Sequence, residues 1–252
     1  MTEAVVARLR AAGCVFAEEE AALLLAADGE LDDLVARRVA GEPLEQVLGW
    51  AEFCGLRIAV EPGVFVPRRR TELLAVTAAA LAGPGAVVVD LCCGTGAVGA
   101  VVADAVPGVL LMATDLDPAA VACARRNVEP RGGRVVVGDL FGALPDELRG
   151  RVDVLAVNAP YVPTDAIALM PPEARDHEAR LALDGGDDGV AVHRRVAAGV
   201  RSWLSPGGVL LIETSERQAP LTVAALASAG LGTEVLRDDD RDATVVTGRL
   251  SR

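Results

Sequence analysis

From about residue 86 to its end, the chain alternates short apolar runs with segments of helical periodicity. The apolar runs predict strands at 86–91, 109–114, 134–138, 152–158, 208–213, about 233–237 and 243–249. Helical spacing predicts helices at about 97–105, 118–127, 188–203 and 219–229. This alternation is typical of an α/β fold whose mostly parallel sheet is covered by helices on both faces. Ligands in such folds bind beyond the carboxyl ends of the strands.

Two shorter regions precede this pattern. Residues 1–42 carry apolar positions at helical spacing and predict a small helical N-terminal region. Residues 43–66 change character, because Gly55 lies between two short apolar runs and predicts a β-hairpin linker. A further helix is predicted to begin near Thr71. We therefore expect a helical region, a hairpin linker and a main domain over residues 67–252.

Composition and charge narrow the classes of function. Hydrophobic residues make up 52% of the 252 residues, which is enough for a sizeable core. The net charge of −12 argues against a surface that grips a phosphate backbone, so no direct binding of nucleic acid is expected. No apolar stretch reaches the roughly 18 residues of a membrane span, so no membrane association is expected. The 5 cysteines form no Cys-x-x-Cys pair, which argues against zinc or disulfides and favours the cytoplasm. The sequence leaves the oligomeric state open.

A glycine-rich loop follows the first strand of the main sheet. Residues 90–99 read Asp-Leu-Cys-Cys-Gly-Thr-Gly-Ala-Val-Gly and open the next helix. Glycines at such a turn let the backbone approach a ligand closely. Because the same spacing occurs in dinucleotide-binding folds, the loop alone leaves the cofactor open. The candidate cofactor-binding residues here are Asp90, Cys92, Gly94, Thr95 and Gly96.

The next two strands end in carboxylates. Asp115 lies about 20 residues beyond the loop, where an acidic side chain can accept hydrogen bonds from both hydroxyls of a ribose. Asp117 precedes a proline and is predicted to cap the following helix. Asp139 is predicted to accept from an adenine amino group, with Leu140 or Phe141 against the ring. The candidate cofactor residues at these strand ends are Asp115, Leu116, Asp139 and Leu140.

A polar tetrapeptide, Asn158-Ala159-Pro160-Tyr161, ends the fourth strand. Because the carboxyl ends of parallel strands share one edge of a sheet, we expect it close to the glycine loop. The sequence shows neither a site for a second nucleotide nor a hydride acceptor, so hydride transfer is disfavoured. A cofactor at one strand end and an amide or amine at another point to methyl transfer onto nitrogen.

Several segments carry a family resemblance. The tetrapeptide resembles the Asn-Pro-Pro-Tyr motif of amino-group methyltransferases, and the glycine loop resembles that of class I S-adenosylmethionine-dependent methyltransferases. The segments that are similar to the protein N5-glutamine methyltransferase family are Pro43 to Gly49, Ala51 to Leu56, Phe65 to Arg68 with Thr71-Glu72, Ala182 to Gly189, and Leu204 to Glu213. The resemblance covers nearly the whole chain and implies a Rossmann-like class I fold with a seven-stranded sheet.

The resemblance also implies a reaction. The family uses S-adenosylmethionine to methylate the Gly-Gly-Gln glutamine of bacterial peptide chain release factors, so we expect an enzyme with a protein substrate and no metal. It implies that Asn158 accepts one amide hydrogen and a carbonyl of Ala159 or Pro160 accepts the other. Tyr161 would then wall the acceptor slot, and Asn158 would also lie against the cofactor.

The chain departs from the family pattern at three places. Ala159 replaces the first proline of the acceptor motif, and Arg68-Arg69-Arg70 replaces the usual Arg-Pro-Glu. The helical region before Pro43 is shorter than is usual in the family, which predicts altered docking of the protein substrate. Two alternatives follow, namely an N-methyltransferase for another protein or a small-molecule amine, and a cofactor-binding paralogue without catalysis.

Overall fold

The computed structural model describes residues 2–251, and its first part is a group of four packed helices. They are α1 (Thr2–Ala11), α2 (Ala17–Ala26), α3 (Leu31–Val39) and α4 (Leu44–Leu48). Their buried apolar side chains form a cluster of their own, made of Val5, Leu9, Ala17, Ala21, Leu24, Leu34, Val35 and Val47. Arg38 of α3 is also buried and donates from Nε to Glu20 of α2 over 2.6 Å. Burial of this charge is tolerated because it is paired.

The predicted hairpin is confirmed. It consists of β1 (Trp50–Phe53) and β2 (Leu56–Ala59), which pair antiparallel with Phe53 opposite Leu56. The two turn residues, Cys54 and Gly55, have φ of 51° and 77°. Positive φ at both central residues is the geometry of the tight turns that suit the twist of a hairpin.

The rest of the chain forms a seven-stranded sheet flanked by helices. The strands are β3 (Val87–Leu91), β4 (Leu110–Asp115), β5 (Arg134–Val137), β6 (Val152–Val157), β7 (Leu204–Thr214), β8 (Gly232–Asp238) and β9 (Ala243–Arg249). The helices are α5 (Glu72–Leu81), α6 (Ala97–Ala105), α7 (Pro118–Val128), α8 (Pro172–His177), α9 (Ala191–Val200) and α10 (Ala219–Ser228). Two large apolar clusters lie on opposite faces of the sheet, because alternate residues of each strand point to opposite sides.

The strand order is β5-β4-β3-β6-β7-β9-β8, and β9 runs in the direction opposite to the other six strands. The chain leaves β3 toward β4 on one side and returns to β6 on the other. A crevice for ligands therefore opens between the carboxyl ends of β3 and β6, where the strand order reverses. The predicted α/β class and mostly parallel sheet are confirmed.

Some boundaries differ from the prediction. Helix α9 begins at Ala191, not near 188, because Gly189 adopts a φ of 76° and Asp188 accepts a hydrogen bond from the Val190 amide. Strand β7 begins at Leu204, and its pairing with β6 is irregular between Val152 and Val154. Helix α8 lies in a segment for which no element was predicted. Among residues 2–251, no helix combines the length and apolar character that crossing a membrane requires.

Candidate active site

A cavity opens at the carboxyl ends of β3, β4 and β6. The predicted site residues that line it are Asp90, Cys92, Gly94, Thr95, Asp115, Leu116, Asp139, Leu140, Asn158, Ala159, Pro160 and Tyr161. The candidate cofactor-binding residues and the tetrapeptide, which the sequence placed at the ends of separate strands, therefore line the same cavity. Gly96 is not among the lining residues. A Cβ at Gly96 would lie 2.8 Å from Cγ2 of Val128, so glycine is needed there to let α6 pack against α7.

The glycine loop has an unusual backbone. Cys92 has a φ of 56°, which is uncommon for a residue with a side chain and is typical of functional sites. A Cβ at Gly94 would meet no heavy atom within 4 Å, so this part of the loop borders open space. Beneath the loop, Asp90 is buried and accepts from the Gly99 amide over 2.9 Å. Burial raises the pKa of the Asp90 carboxyl to about 7, although that hydrogen bond opposes the shift.

Asp115 holds the glycine loop against the end of β4. Its Oδ2 accepts from the Gly94 amide over 2.8 Å, and its Oδ1 accepts from the Asp117 amide over 2.9 Å. Burial raises the pKa of the Asp115 carboxyl, and these amide hydrogen bonds limit the rise. Each carboxylate oxygen has a second lone pair that remains available to a ligand. Asp117 accepts from the Ala119 amide over 2.8 Å, which confirms it as the cap of α7.

Asp139 has a partner that the sequence did not reveal. Arg195, from α9, donates to Asp139 Oδ2 over 2.7 Å, and both residues line the cavity. The next residue, Leu140, is buried and has a φ of 48°. Two opposite charges, each about half-exposed, thus lie next to each other where β5 ends at the cavity.

The tetrapeptide after β6 is held by residues from distant parts of the chain. Asn158 donates from Nδ2 to Oγ1 of Thr71 over 3.3 Å. The Tyr161 hydroxyl donates to Oε1 of Glu213 over 3.2 Å, and Gln218 Nε2 donates to the Tyr161 carbonyl over 2.8 Å. Burial strongly raises the pKa of the Tyr161 phenol, so this side chain is neutral and acts as a donor. The turn is therefore held in place by side chains from β7 and from the residues that precede α5 and α10.

Residues 162–190 fold over the same cavity as a covering segment. It is anchored by a hydrogen bond from Thr164 Oγ1 to Asp184 over 2.6 Å and by the Val162 amide, which donates to the Leu183 carbonyl over 3.0 Å. Glycine is required beneath the turn, because a Cβ at Gly185 would lie 2.7 Å from Cα of Tyr161. The Asp-Gly-Gly segment of the sequence is thus part of the support for the tetrapeptide.

Arg68, the first residue of the arginine run, forms an ion pair with a buried carboxylate. Its Nη2 lies 2.6 Å from Oε1 of Glu178, whose side chain is fully buried, and Arg68 lines the cavity. Glu178 also accepts from the Val66 amide over 3.0 Å. The pair joins the covering segment to the chain before α5. Nothing in the local sequence indicated the role of Glu178.

His193, one of the two histidines of the chain, has a packing role. The side chain is completely buried, with Nδ1 2.9 Å from Oγ1 of Thr222 between α9 and α10. Burial lowers the pKa of His193 to about 4, so the ring is neutral at neutral pH.

Comparison with known proteins agrees with this geometry. The family model of the methyltransferase small domain matches residues 55–222. A release factor glutamine methyltransferase of Geobacter sulfurreducens is 38% identical over 199 residues, which cover 78% of this chain and 69% of that protein. A 4-amino-L-phenylalanine/4-methylamino-L-phenylalanine methyltransferase of Streptomyces pristinaespiralis is 37% identical over 203 residues, with 78% and 69% covered. The solved structure of a methyltransferase from Pyrococcus furiosus shares the fold, with a TM-score of 0.60, 17% identity and coverage of 88% and 100%.

Proposed function

We propose that this chain, which belongs to the methyltransferase small-domain family and within it to the release factor glutamine methyltransferases, methylates N5 of a glutamine in a peptide chain release factor. The methyl donor is S-adenosylmethionine. One observation carries the proposal: the turn Asn158–Tyr161 and the acidic strand end Asp115 line a single cavity, on the two sides of β3.

The residues of the cavity fit this cofactor. Asp115 keeps one free lone pair on each carboxylate oxygen, which suits the two hydroxyls of a ribose. Gly94 borders open space, where a bound group can approach the backbone closely. Asp139 and Leu140 would hold the adenine end, with Arg195 keeping the Asp139 carboxylate in place. When bound, S-adenosylmethionine supplies an electrophilic methyl group on its sulfonium sulfur.

The acceptor amide needs help because its lone pair is delocalised into its carbonyl. We assign Asn158 Oδ1 to one amide hydrogen and a backbone carbonyl of Ala159 or Pro160 to the other. Two acceptors hold the nitrogen in one orientation and favour the positive charge that develops on it. Tyr161 would form the wall of the slot. Positioning and fixed dipoles supply the rate in this scheme, and no general base is required.

We further propose that residues 1–42 and the linker 43–66 help to hold the protein substrate, while 67–252 carry out the chemistry. An ion pair between the helical region and the covering segment supports this proposal. Arg38 Nη1 lies 2.6 Å from Oε1 of Glu173, which belongs to α8. A protein bound to the helical region would thus contact an element coupled to the cavity. The cysteines are all free, which fits a cytoplasmic enzyme, and no direct contact with nucleic acid is proposed.

The test is mass spectrometry of a release factor incubated with the enzyme and isotope-labelled S-adenosylmethionine. One labelled methyl group on the Gly-Gly-Gln glutamine is the expected result. The matched control is the same release factor with that glutamine replaced by alanine, which should acquire no label. Absence of label on the glutamine, with binding of the cofactor verified in the same sample, would reject the release factor as substrate.

A second candidate is N-methylation of a small aromatic amine. The Streptomyces pristinaespiralis relative favours it, as does Arg70, whose half-exposed side chain lines the cavity beside Tyr161 and offers a cation for the carboxylate of an amino acid. The same assay with 4-amino-L-phenylalanine in place of the release factor separates the two. If glutamine is the acceptor, kcat/KM for the release factor should exceed kcat/KM for the amine by at least about 100-fold. The reverse ratio would identify the small amine as the substrate.

A further inference from the structure

A second groove, separate from the active-site cavity, lies between the helical region, the hairpin and α7. Its volume is about 650 Å³. Among residues 2–251, the charged side chains that line it are four arginines and one carboxylate, namely Arg37, Arg57, Arg126, Arg131 and Glu61. The whole chain has a net charge of −12, so this arginine groove is a basic site on an acidic protein.

The outer face of the hairpin forms one wall of the arginine groove. Phe53 and Ile58 are buried on the inner face, and alternation along each strand places Trp50 and Arg57 on the outer one. The Arg57 guanidinium lies over the Trp50 ring, 4.1 Å from its centroid. Stacking on an aromatic ring holds a guanidinium in place without neutralising its charge. Arg57 is thus an exposed and oriented cation.

The other three arginines of the groove are each held by a carboxylate. The pairs are Arg37 with Glu42 at 2.7 Å, Arg126 with Glu61, and Arg131 with Asp104 at 3.9 Å. A guanidinium has five N–H donors in a fixed planar fork. One carboxylate partner therefore orients the side chain and leaves further donors for a ligand.

The floor of the groove is fixed by Asn127, whose side chain is buried. Its Oδ1 accepts from the Ala59 amide over 2.8 Å, and its Nδ2 donates to the Ala59 carbonyl over 2.9 Å. The same Nδ2 donates to the carbonyl of Thr95 in the glycine loop over 2.8 Å. These bonds join β2, α7 and the glycine loop. The groove is therefore preformed, which lowers the entropic cost of binding a partner.

The arginine groove lies close to the active-site cavity. Helix α7 borders both, because Ala120 lines the cavity and Arg126 lines the groove. Six helical residues span about 9 Å. The chain before α5 also borders both, since residues 59–62 line the groove and residues 63–65 line the cavity. One protein can therefore place a glutamine in the cavity and a neighbouring part of its surface in the groove.

We infer that the arginine groove docks an acidic segment of the protein substrate. Carboxylates match the fork of a guanidinium with two parallel hydrogen bonds. The net charge of −12 repels an acidic partner over most of the surface, so the groove determines where such a segment binds. The same net charge disfavours a phosphate backbone, which needs a more extended basic face. The inference rests on the proposed function, because it presumes that the acceptor is a protein.

Binding of an acidic segment can be measured on the free enzyme with hexaglutamate as the probe. The chain contains 2 tryptophans, so 5-fluorotryptophan labelling yields two ¹⁹F signals, which Trp50→Phe assigns. Trp203 is the internal reference, because it is buried in the apolar cluster on the other face of the sheet from α7. Hexaglutamate should shift the Trp50 signal saturably at low ionic strength and leave the Trp203 signal unchanged. About 1 M NaCl should abolish the shift.

Charge-neutralising variants locate the binding. Arg57→Gln with Arg126→Gln should raise the Kd for hexaglutamate at least about fivefold. The matched control, Arg201→Gln with Arg249→Gln, removes the same charge at two exposed positions at the end of α9 and the end of β9, and the Kd should stay unchanged. Absence of a Trp50 shift, or equal losses in the two variants, would overturn the inference. Tighter binding of hexauridylate than of hexaglutamate would overturn it in favour of a nucleic acid.

Kinetics with the release factor then test the role of the groove in docking. The Arg57→Gln, Arg126→Gln variant should raise KM for the release factor at least about fivefold at an unchanged kcat, because docking contacts act equally before and during methyl transfer. The control variant should keep the wild-type KM. An unchanged KM in the groove variant, with urea titration verifying that it is folded, would reject the docking role. A fall in kcat alone would reject it as well.

The inference and the proposed function fail separately. If the wild-type enzyme does not methylate the release factor, the proposed function fails, and the hexaglutamate titration still decides whether the arginine groove binds acidic segments. If the wild-type enzyme methylates the release factor and hexaglutamate leaves the Trp50 signal unchanged, the proposed function stands and the arginine groove is rejected as the docking site.

Discussion

The backbones of Gly189 and Tyr161 lie so close together that there is no room for a side chain on Gly189. A Cβ on Gly189 would overlap the carbonyl oxygen of Tyr161 and Nε2 of Gln218. Gly189 also has a φ of 76°, which disfavours any residue with a side chain. The glycine therefore lets the covering segment support the tetrapeptide directly, backbone against backbone.

Replacing Gly189 by alanine should disable the acceptor turn. We expect methyl transfer to fall at least about ten-fold, because the displaced Tyr161 carbonyl moves the neighbouring acceptors, and a distortion of 1 Å can cost about 100-fold. The free energy of unfolding should fall by about 2–3 kcal/mol. Activity assays and urea titrations measure the two effects.

Gly150→Ala is the control for this variant. Gly150 has a φ of 67° and a Cβ there would meet nothing within 4 Å, so alanine adds the same backbone strain without the overlap. It should cost about 1 kcal/mol and leave methyl transfer unchanged. Equal activity losses in the two variants would contradict a specific role for the contact between Gly189 and Tyr161.

Arg38 is predicted to matter more to stability than its surface partner. It pairs with Glu20, which is also buried, and with Glu173, whose side chain is 49% exposed. Arg38→Met leaves Glu20 as an unpaired buried charge and should lower the free energy of unfolding by about 3 kcal/mol. Glu173→Gln removes an exposed partner and should cost less than about 1 kcal/mol. Urea titration distinguishes them; equal costs would show that Arg38 is not held mainly through Glu20.

The sequence predicted well those residues of the site that are located by the strand to which they are attached. Asp90 and Asp115 lie at the carboxyl ends of apolar strands and Asn158 follows one, and parallel strands bring their carboxyl ends to one edge. Periodicity and strand ends therefore suffice to place these residues in one cavity. The tight hairpin turn at Gly55 is local in the same sense.

The missed residues are partners of distant segments. Arg195 reaches Asp139 from α9, Glu178 reaches Arg68 from the covering segment, and Glu213 reaches Tyr161 from β7. Such pairs depend on how strands are ordered in space, which local patterns do not encode. Gly96 is the opposite case, because its local sequence predicted a cofactor contact that the structure does not show. This glycine of the glycine-rich loop instead allows α6 to pack against α7.

His193 should make stability depend on pH. Because burial lowers its pKa to about 4, the unfolded chain binds a proton more readily than the folded one below the ordinary pKa of about 6.5. The stability contributed by the neutral ring is complete above pH 6.5 and is lost as the pH falls toward 4. His193→Gln should remove up to about 3 kcal/mol of this loss. Urea titrations from pH 7.5 to 4.5 test it, and identical slopes for both proteins would contradict it.

Asn158→Ala should separate catalysis from binding of the cofactor. The variant loses the side-chain oxygen that we assign to the acceptor amide, so methyl transfer should fall by about 100-fold or more. The Kd for S-adenosylmethionine, measured by calorimetry, should change less than about threefold, because Asp115 and the glycine loop are intact. Asp115→Asn is the opposite control: it should weaken binding of the cofactor at least about tenfold. An Asn158→Ala variant that loses both properties equally would assign Asn158 to the cofactor and not to the acceptor.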